Sequence, residues 1–167
     1  PPDALSIFYP PTPVGQRWYE HPLEKLNPAA LVLDLSEHTR SVALDYLRIP
    51  ADRIVTIGAD ADSIFQTKSL TVEETVEVLA RAGITRPFII HTGIPEPRKN
   101  IPTLIRAFGL LDPELQKRHS VALIGDITPA QKSDILAVAA AAGVDPQSIV
   151  FPGKVGQSDL VKLYNLA

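Results

Sequence analysis

The sequence predicts an α/β fold of parallel, Rossmann-like sheet structure, and three observations carry that prediction. Five short apolar runs, at residues 30–35, 53–57, 87–91, 120–124 and 148–151, are rich in Val, Ile and Leu and continuous rather than alternating. Continuous runs of strand length suit strands buried on both faces, which is the condition of a parallel sheet. Helical patterns fill the gaps between the runs. The last three runs and their helices repeat as strand then helix, which requires right-handed crossovers between parallel strands. The composition, 45% hydrophobic and 21% charged, is that of a globular chain.

The helices follow from caps and faces. Ser36 is placed to cap a helix running to about Leu47, and the Ile49-Pro50 step ends it. Thr71 and Glu74 form a capping-box pattern, with Gly83 as the stop. Ile101, Leu104, Ile105, Phe108 and Leu111 share one helical face, and Asn100 stands as its N-cap. Thr128 and Gln131 repeat the capping box with Pro129 at the first helical position, opening an Ala-rich helix that should end at Gly143. A last helix is expected to begin near Ser158. Pro1 to Pro28 is proline-rich and holds Trp18; it reads as irregular, with Ile7, Phe8, Tyr9, Trp18, Tyr19 and Leu23 apolar enough to pack. A domain junction is expected between Gly58 and Thr71.

Composition excludes several classes of function. A net charge of −3 argues against bulk electrostatic binding to nucleic acid or to an anionic membrane. There is no cysteine and the four histidines are scattered, so neither a disulfide framework nor a metal site is expected. No apolar run is long enough to span a bilayer and no signal-peptide pattern opens the chain. These features fit a cytoplasmic protein. Methionine is absent even at position 1, so the chain is expected to be part of a longer polypeptide.

The segment from Phe88 to Asn100, FIIHTGIPEPRKN, is the most informative. A strand leads into a loop with Gly93, the loop carries Arg98 and Lys99, and a helix opens directly after. Ligands of open α/β sheets bind beyond the carboxyl ends of the strands, and free N–H groups at a helix start attract phosphate. Cations there oppose the helix dipole unless an anion joins them; the plain alternative is a pair of solvated loop charges. Gly125-Asp126 follows the next strand, where Asp126 either meets a hydroxyl or caps the turn. Gly153-Lys154-Val155-Gly156 follows the third, and its glycines permit close backbone approach or simply a tight turn. Ser36, Glu37 and His38 follow the first strand; a nucleophilic cluster is one reading, a capped helix start the commoner one. No GxGxxG, P-loop or GxSxG pattern occurs.

In combination these segments resemble the middle of a family 4 glycosyltransferase, with the two-Rossmann GT-B fold. Leu33-Asp-Leu-Ser-Glu-His-Thr-Arg40 resembles the family's S-E-x-T-R segment. Arg53-Ile-Val-Thr-Ile-Gly-Ala-Asp60 with Phe65 resembles its crossover between domains. Arg98-Lys-Asn-Ile-Pro-Thr-Leu-Ile-Arg-Ala-Phe108 resembles R-K-N-x-x-x-L-I-x-A-F, and Ile149-Val-Phe-Pro-Gly153 with Leu160 and Tyr164 resembles the segment after it. Order and spacing agree over about residues 30 to 167.

The resemblance implies an incomplete GT-B arrangement. Residues 1–60 would be the tail of an N-terminal Rossmann-like domain, 61–70 an interdomain linker, and 71–167 the first half of a C-terminal nucleotide-sugar-binding domain. It implies a retaining hexosyltransferase, moving a sugar from a nucleotide-sugar donor to a hydroxyl on a glycan or lipid-linked acceptor in cell-envelope polysaccharide synthesis. Such an enzyme works at the inner face of the membrane with peripheral contact at most, and without an obligatory metal or other cofactor. Lys99, with Arg98 and Gly93, would bind the donor diphosphate, and Gly125, Asp126, Gly153, Lys154 and Val155 would lie in the nucleotide-binding loops. Many members carry an arginine just after the loop glycine, where this chain has Ile94. The family's acidic E-x7-E segment and early Gly-rich loop do not occur in these 167 residues, so the catalytic residues are unassigned and the chain alone is expected to be inactive. The alternatives are a non-catalytic degenerate module and a sugar-nucleotide 2-epimerase-like enzyme.

Overall fold

The computed structural model describes residues 26, 28–85 and 87–167. The reading of the proline-rich start as irregular but packed therefore falls almost wholly outside the described residues. The chain forms two compact units that divide between Asp62 and Ser63.

In the first unit, β1 (Val32–Asp34) and β2 (Ile54–Thr56) pair in parallel, with Val32 opposite Ile54. The crossover between them carries α1 (Glu37–Asp45). Ala43, Ile49 and Ile54 form its small core, with Leu26, Val32, Leu44 and Leu47 packed around. Two arginines finish the backbone. Arg40 donates to the Ile54 carbonyl at 3.0 Å, and Arg53 donates to the Ala29 carbonyl at 2.9 Å. Both strands are shorter than the apolar runs, because ladder pairing lasts only where the two overlap. Leu33 and Val55, register partners on the other face, are exposed.

The second unit contains α2 (Val72–Ala82), β3 (Phe88–Thr92), α3 (Ile101–Gly109), α4 (Pro113–Arg118), β4 (Ser120–Ile124), α5 (Pro129–Ala141), β5 (Ile149–Gly153) and α6 (Gln157–Leu166). Its sheet has the order β3-β4-β5, parallel throughout, with a register irregularity between β4 and β5. Every residue of β4 is buried, as a continuous apolar run at the centre of a sheet requires. Side chains alternate across it. Val121 and Leu123 join Ile101, Ile105 and Phe108 of α3 and Ile135 and Ala139 of α5. Ala122 and Ile124 join Val78 and Ala82 of α2 and Leu163 of α6. Helices thus cover both faces, the doubly wound arrangement.

Both capping boxes form, at Thr71–Glu74 and Thr128–Gln131, and Gly83 and Gly143 take left-handed conformations just past their helices. One sequence expectation is corrected, and one element was not foreseen. Asn100 precedes α3 but does not cap it with its side chain: its φ is 51°, and its side-chain carbonyl accepts from the Thr103 hydroxyl at 2.8 Å. A 3-10 turn at Pro97–Lys99 feeds directly into the helix, and Asn tolerates the left-handed conformation this needs. The six-residue α4 was not anticipated, although Asp112 accepts from the Glu114 N–H at 2.8 Å and Pro113 follows it, a clear start signal. The last helix starts at Gln157, near Ser158 as expected, with Gly156 as N-cap.

Ser63 to Leu70, read from sequence mostly as linker, belongs to the second unit. Phe65 meets the Tyr164 ring edge-on, with centroids 5.9 Å apart. Asn165 accepts from the Lys68 N–H at 2.8 Å and donates to the carbonyls of Gln66 at 3.2 Å and Val161 at 2.9 Å. One amide side chain thereby satisfies backbone groups of a segment that has no ladder of its own.

Candidate functional site

Parallel strands send their carboxyl ends to one edge, so the loops after β3, β4 and β5 emerge together. Each opens at a glycine of positive φ: Gly93 at 119°, Gly125 at 154° and Gly153 at 78°. The sheet ladder runs on into this row. The Gly93 N–H donates to the Ile124 carbonyl at 2.9 Å, and the Gly125 N–H donates to the Gly153 carbonyl at 3.0 Å. Gly125 is the tightest point, since a Cβ there would stand 2.5 Å from the Gly93 carbonyl oxygen.

Lys99 returns to this row from the end of the Pro97–Lys99 turn. Its Cε lies 3.7 Å, and its Nζ 4.0 Å, from where a Gly93 Cβ would be. The missing side chain is what lets the lysine lie along the loop. Among the described residues no carboxylate pairs with Lys99, which is exposed. Arg98 differs: its Nε donates to Glu96 at 2.6 Å, so the neighbouring acid already engages that cation. Sequence reading paired Arg98 with Lys99 and did not weigh Glu96. Gln131, besides closing its capping box, reaches the Pro95 carbonyl at 3.5 Å and so braces the same loop from α5.

The other named residues separate. Asp126 and Lys154 are exposed beside Gly125 and Gly153. Val155 packs against the core cluster shared by α2 and α6, so only its backbone is left for a ligand. Ser36, Glu37 and His38 lie in the first unit. Ser36 accepts from the Thr39 N–H at 3.1 Å and Glu37 sits in the first turn, a helix cap with no nucleophilic arrangement.

Sequence reasoning missed two residues at this edge. The Thr92 hydroxyl, one residue before Gly93, shares a 2.8 Å hydrogen bond with the Tyr164 hydroxyl and so ties the end of β3 to α6. His91 is half-buried, and its Nδ1 has no partner. Burial pushes the His91 pKa down from its ordinary value, and the Lys99 ammonium pushes it further. Above the unfolded pKa of about 6.5 the ring is neutral in both states and costs nothing. As the pH falls through that value the unfolded chain takes up the proton first, so stability falls and then levels off below the folded pKa. Urea unfolding at pH 7.5 and 5.5 should show a larger acid loss for the wild type than for His91→Gln; equal losses would contradict this.

A separate groove of about 410 Å³ is lined by residues including Lys68, Glu74, Val161, Lys162 and Asn165 and shares none with the glycine loops. Lys162 is paired there with Glu74 at 3.0 Å. Among the described residues no cluster of three or more His, Cys, Asp or Glu side chains is placed to hold a metal ion. No helix among them is long and apolar enough to cross a membrane.

A doubly wound parallel sheet with a glycine row and a lysine at its carboxyl edge defines the class: the chain has the fold of part of a GT-B glycosyltransferase. Comparison with known proteins agrees. The chain is 29% identical over 154 residues to the serotype-specific mannosyltransferase WbdA of Escherichia coli, covering 92% of this chain and 19% of that protein. It is 32% identical over 145 residues to the O-antigen chain mannosyltransferase B of Escherichia coli, covering 86% of this chain and 37% of the relative. The chain thus spans about a fifth of the first relative and well under half of the second. Because 154 residues are matched, the WbdA similarity takes in part of the first thirty, where the motifs above do not reach. Among solved structures, a glycosyltransferase from Rickettsia africae superposes with a TM-score of 0.69 at 20% identity, covering 87% of this chain and 39% of that one. Anabaena HepE, solved in complex with UDP and glucose, gives 0.66 at 17% identity, covering 89% and 40%. No family model matches the chain.

Proposed function

We propose that the whole protein is a retaining glycosyltransferase that moves a hexose, mannose by the names of its relatives, from a nucleotide-sugar donor to a hydroxyl of a growing glycan. The observation that carries this reading is Lys99, an ammonium without a carboxylate partner among the described residues, lying over Gly93 at the carboxyl edge of a parallel sheet. When the glycosidic bond to the donor breaks, charge develops on the diphosphate, and a preplaced cation stabilises that charge without reorganisation. Lys99 is the primary diphosphate contact. Arg98, whose Nε is engaged by Glu96, assists as a partly neutralised cation. The loops beginning at Gly125 and Gly153 receive the nucleotide. The two mannosyltransferase relatives favour sugar transfer over a non-catalytic module or an epimerase, and the UDP complexes of HepE support a nucleoside diphosphate as the bound group.

Within this proposal the first unit is the tail of an acceptor-side Rossmann-like domain. The exposed apolar pair Leu33 and Val55 fits a sheet whose second face is covered by further structure. The reaction needs no metal, and it takes place on the cytoplasmic side of the membrane.

Incubation of the full-length protein with a panel that includes GDP-mannose and UDP-glucose, plus a synthetic mannoside acceptor, tests the reading. One donor should be consumed and the new linkage should keep the donor's anomeric configuration by NMR. An inverted product, or no transfer from any donor of the panel, would count against it.

A further inference from the structure

We propose that Tyr164 is a positioning residue for the diphosphate site: its hydroxyl, bonded to Thr92, fixes the root of the Gly93 loop to the last turn of α6. The inference rests on the donor-site reading above and adds to it the group that holds the loop in place.

Thr92 is the last residue of β3, and Gly93 opens the loop along which Lys99 lies. The Gly93 φ of 119° falls where glycine alone is at ease, so the backbone of the loop does little to set its own direction. Its root is held from two sides instead. The Gly93 N–H donates to the Ile124 carbonyl of β4 at 2.9 Å, and the Thr92 hydroxyl meets the Tyr164 hydroxyl of α6 at 2.8 Å. The first bond is main chain and continues the sheet. The second joins two side chains 72 residues apart and depends on both hydroxyls.

Tyr164 works from a fixed base. Its neighbour Leu163 is fully buried, Arg81 donates to both Asp159 oxygens at 3.1 and 2.9 Å, and Lys162 pairs with Glu74 at 3.0 Å. The Tyr164 ring meets Phe65 edge-on, with centroids 5.9 Å apart. A phenol turns about only two side-chain bonds, and this one is packed against a second ring, so it loses little freedom when it holds Thr92. Asn165, one residue on, accepts from the Lys68 N–H and donates to the Gln66 carbonyl. One turn of α6 therefore touches both the loop root and the exposed segment that begins the second unit. A ligand that steadies Thr92 steadies Asn165 and its backbone partners with it.

Calorimetric titration of the full-length protein with inorganic pyrophosphate at pH 7.5 tests the proposal. Tyr164→Phe keeps the ring beside Phe65 and removes only the hydroxyl. It should weaken binding about three- to tenfold, the worth of one hydrogen bond. A merely structural hydroxyl would lower stability in urea and leave the affinity of the folded protein unchanged. Thr92→Val removes the other end of the same bond and should cost as much, so the double variant should bind no more weakly than either single one. Thr92→Ser keeps the hydroxyl and should bind within about twofold of the wild type. Wild-type affinity in folded Tyr164→Phe, or additive losses in the double variant, would overturn the positioning role. A second readout does not depend on any variant folding. Saturation with pyrophosphate should slow amide exchange at Lys68, whose N–H is bonded to Asn165, in the wild type. Exchange there that is the same with and without pyrophosphate would also overturn it. If Lys99→Ala itself binds pyrophosphate normally, the donor-site reading fails; if Lys99→Ala is weakened and Tyr164→Phe is not, only the positioning role fails.

Discussion

Lys99→Ala in the full-length protein is expected to lower kcat/KM for the nucleotide sugar by about ten- to a hundredfold, the worth of one charge-assisted contact of roughly 1.5–3 kcal/mol. The side chain is exposed and has no carboxylate partner among the described residues, so its removal should leave the fold intact. The loss should fall partly in kcat, because the charge on the diphosphate grows in the transition state. Lys99→Arg should be milder without being silent: a planar fork replaces a point charge, in a site where the ammonium lies close along Gly93. Steady-state kinetics on folded variants reads both effects. A Lys99→Ala enzyme that turns over donor at the wild-type rate would remove the lysine from the mechanism.

The largest effect on stability is expected at Gly125. Alanine there would place a Cβ 2.5 Å from the Gly93 carbonyl oxygen, and that oxygen belongs to backbone held by the Gly93–Ile124 hydrogen bond. The φ of 154° adds strain of its own. The clash can be relieved only by parting the β3 and β4 loops, so Gly125→Ala should cost about 3 kcal/mol in urea unfolding and abolish donor binding even where the variant folds. Gly153→Ala makes the control. Open space surrounds its Cβ, and its φ of 78° leaves only the backbone penalty of about 1–2 kcal/mol. Equal costs at the two glycines would show that the contact with Gly93 carries no weight.

The sequence announced those parts of the fold whose causes are local. The run Ser120–Ile124 marks a buried strand because nothing in it is suited to solvent apart from Ser120, and that residue is buried too. The Thr71–Glu74 and Thr128–Gln131 boxes close within one turn and need no tertiary partner. Asn100 was harder, because the same residue type favours N-caps and the left-handed region; the Pro97–Lys99 turn, itself unforeseen, decides between them. At the candidate site, the glycines and Lys99 were legible because glycine and cation stand at a strand-to-helix junction. What gives the edge its shape was not. Gly125 meets Gly93 across two strands, Thr92 meets Tyr164 across 72 residues, and Gln131 braces Pro95 from another helix. Such contacts arise only when β3 and β4 lie side by side. The Glu96–Arg98 pair was local enough to have been read: an acid two residues before an arginine in a short turn is within reach of it.

The most direct measurement is a crystal structure of the full-length protein with the nucleoside diphosphate of its donor. Diphosphate oxygens should lie about 2.7–3.2 Å from Lys99 Nζ, over Gly93 and at the start of the helix Ile101–Gly109, with the nucleoside running toward the loop at Gly153. A diphosphate bound away from this edge, or Lys99 turned from it toward a carboxylate, would contradict the account.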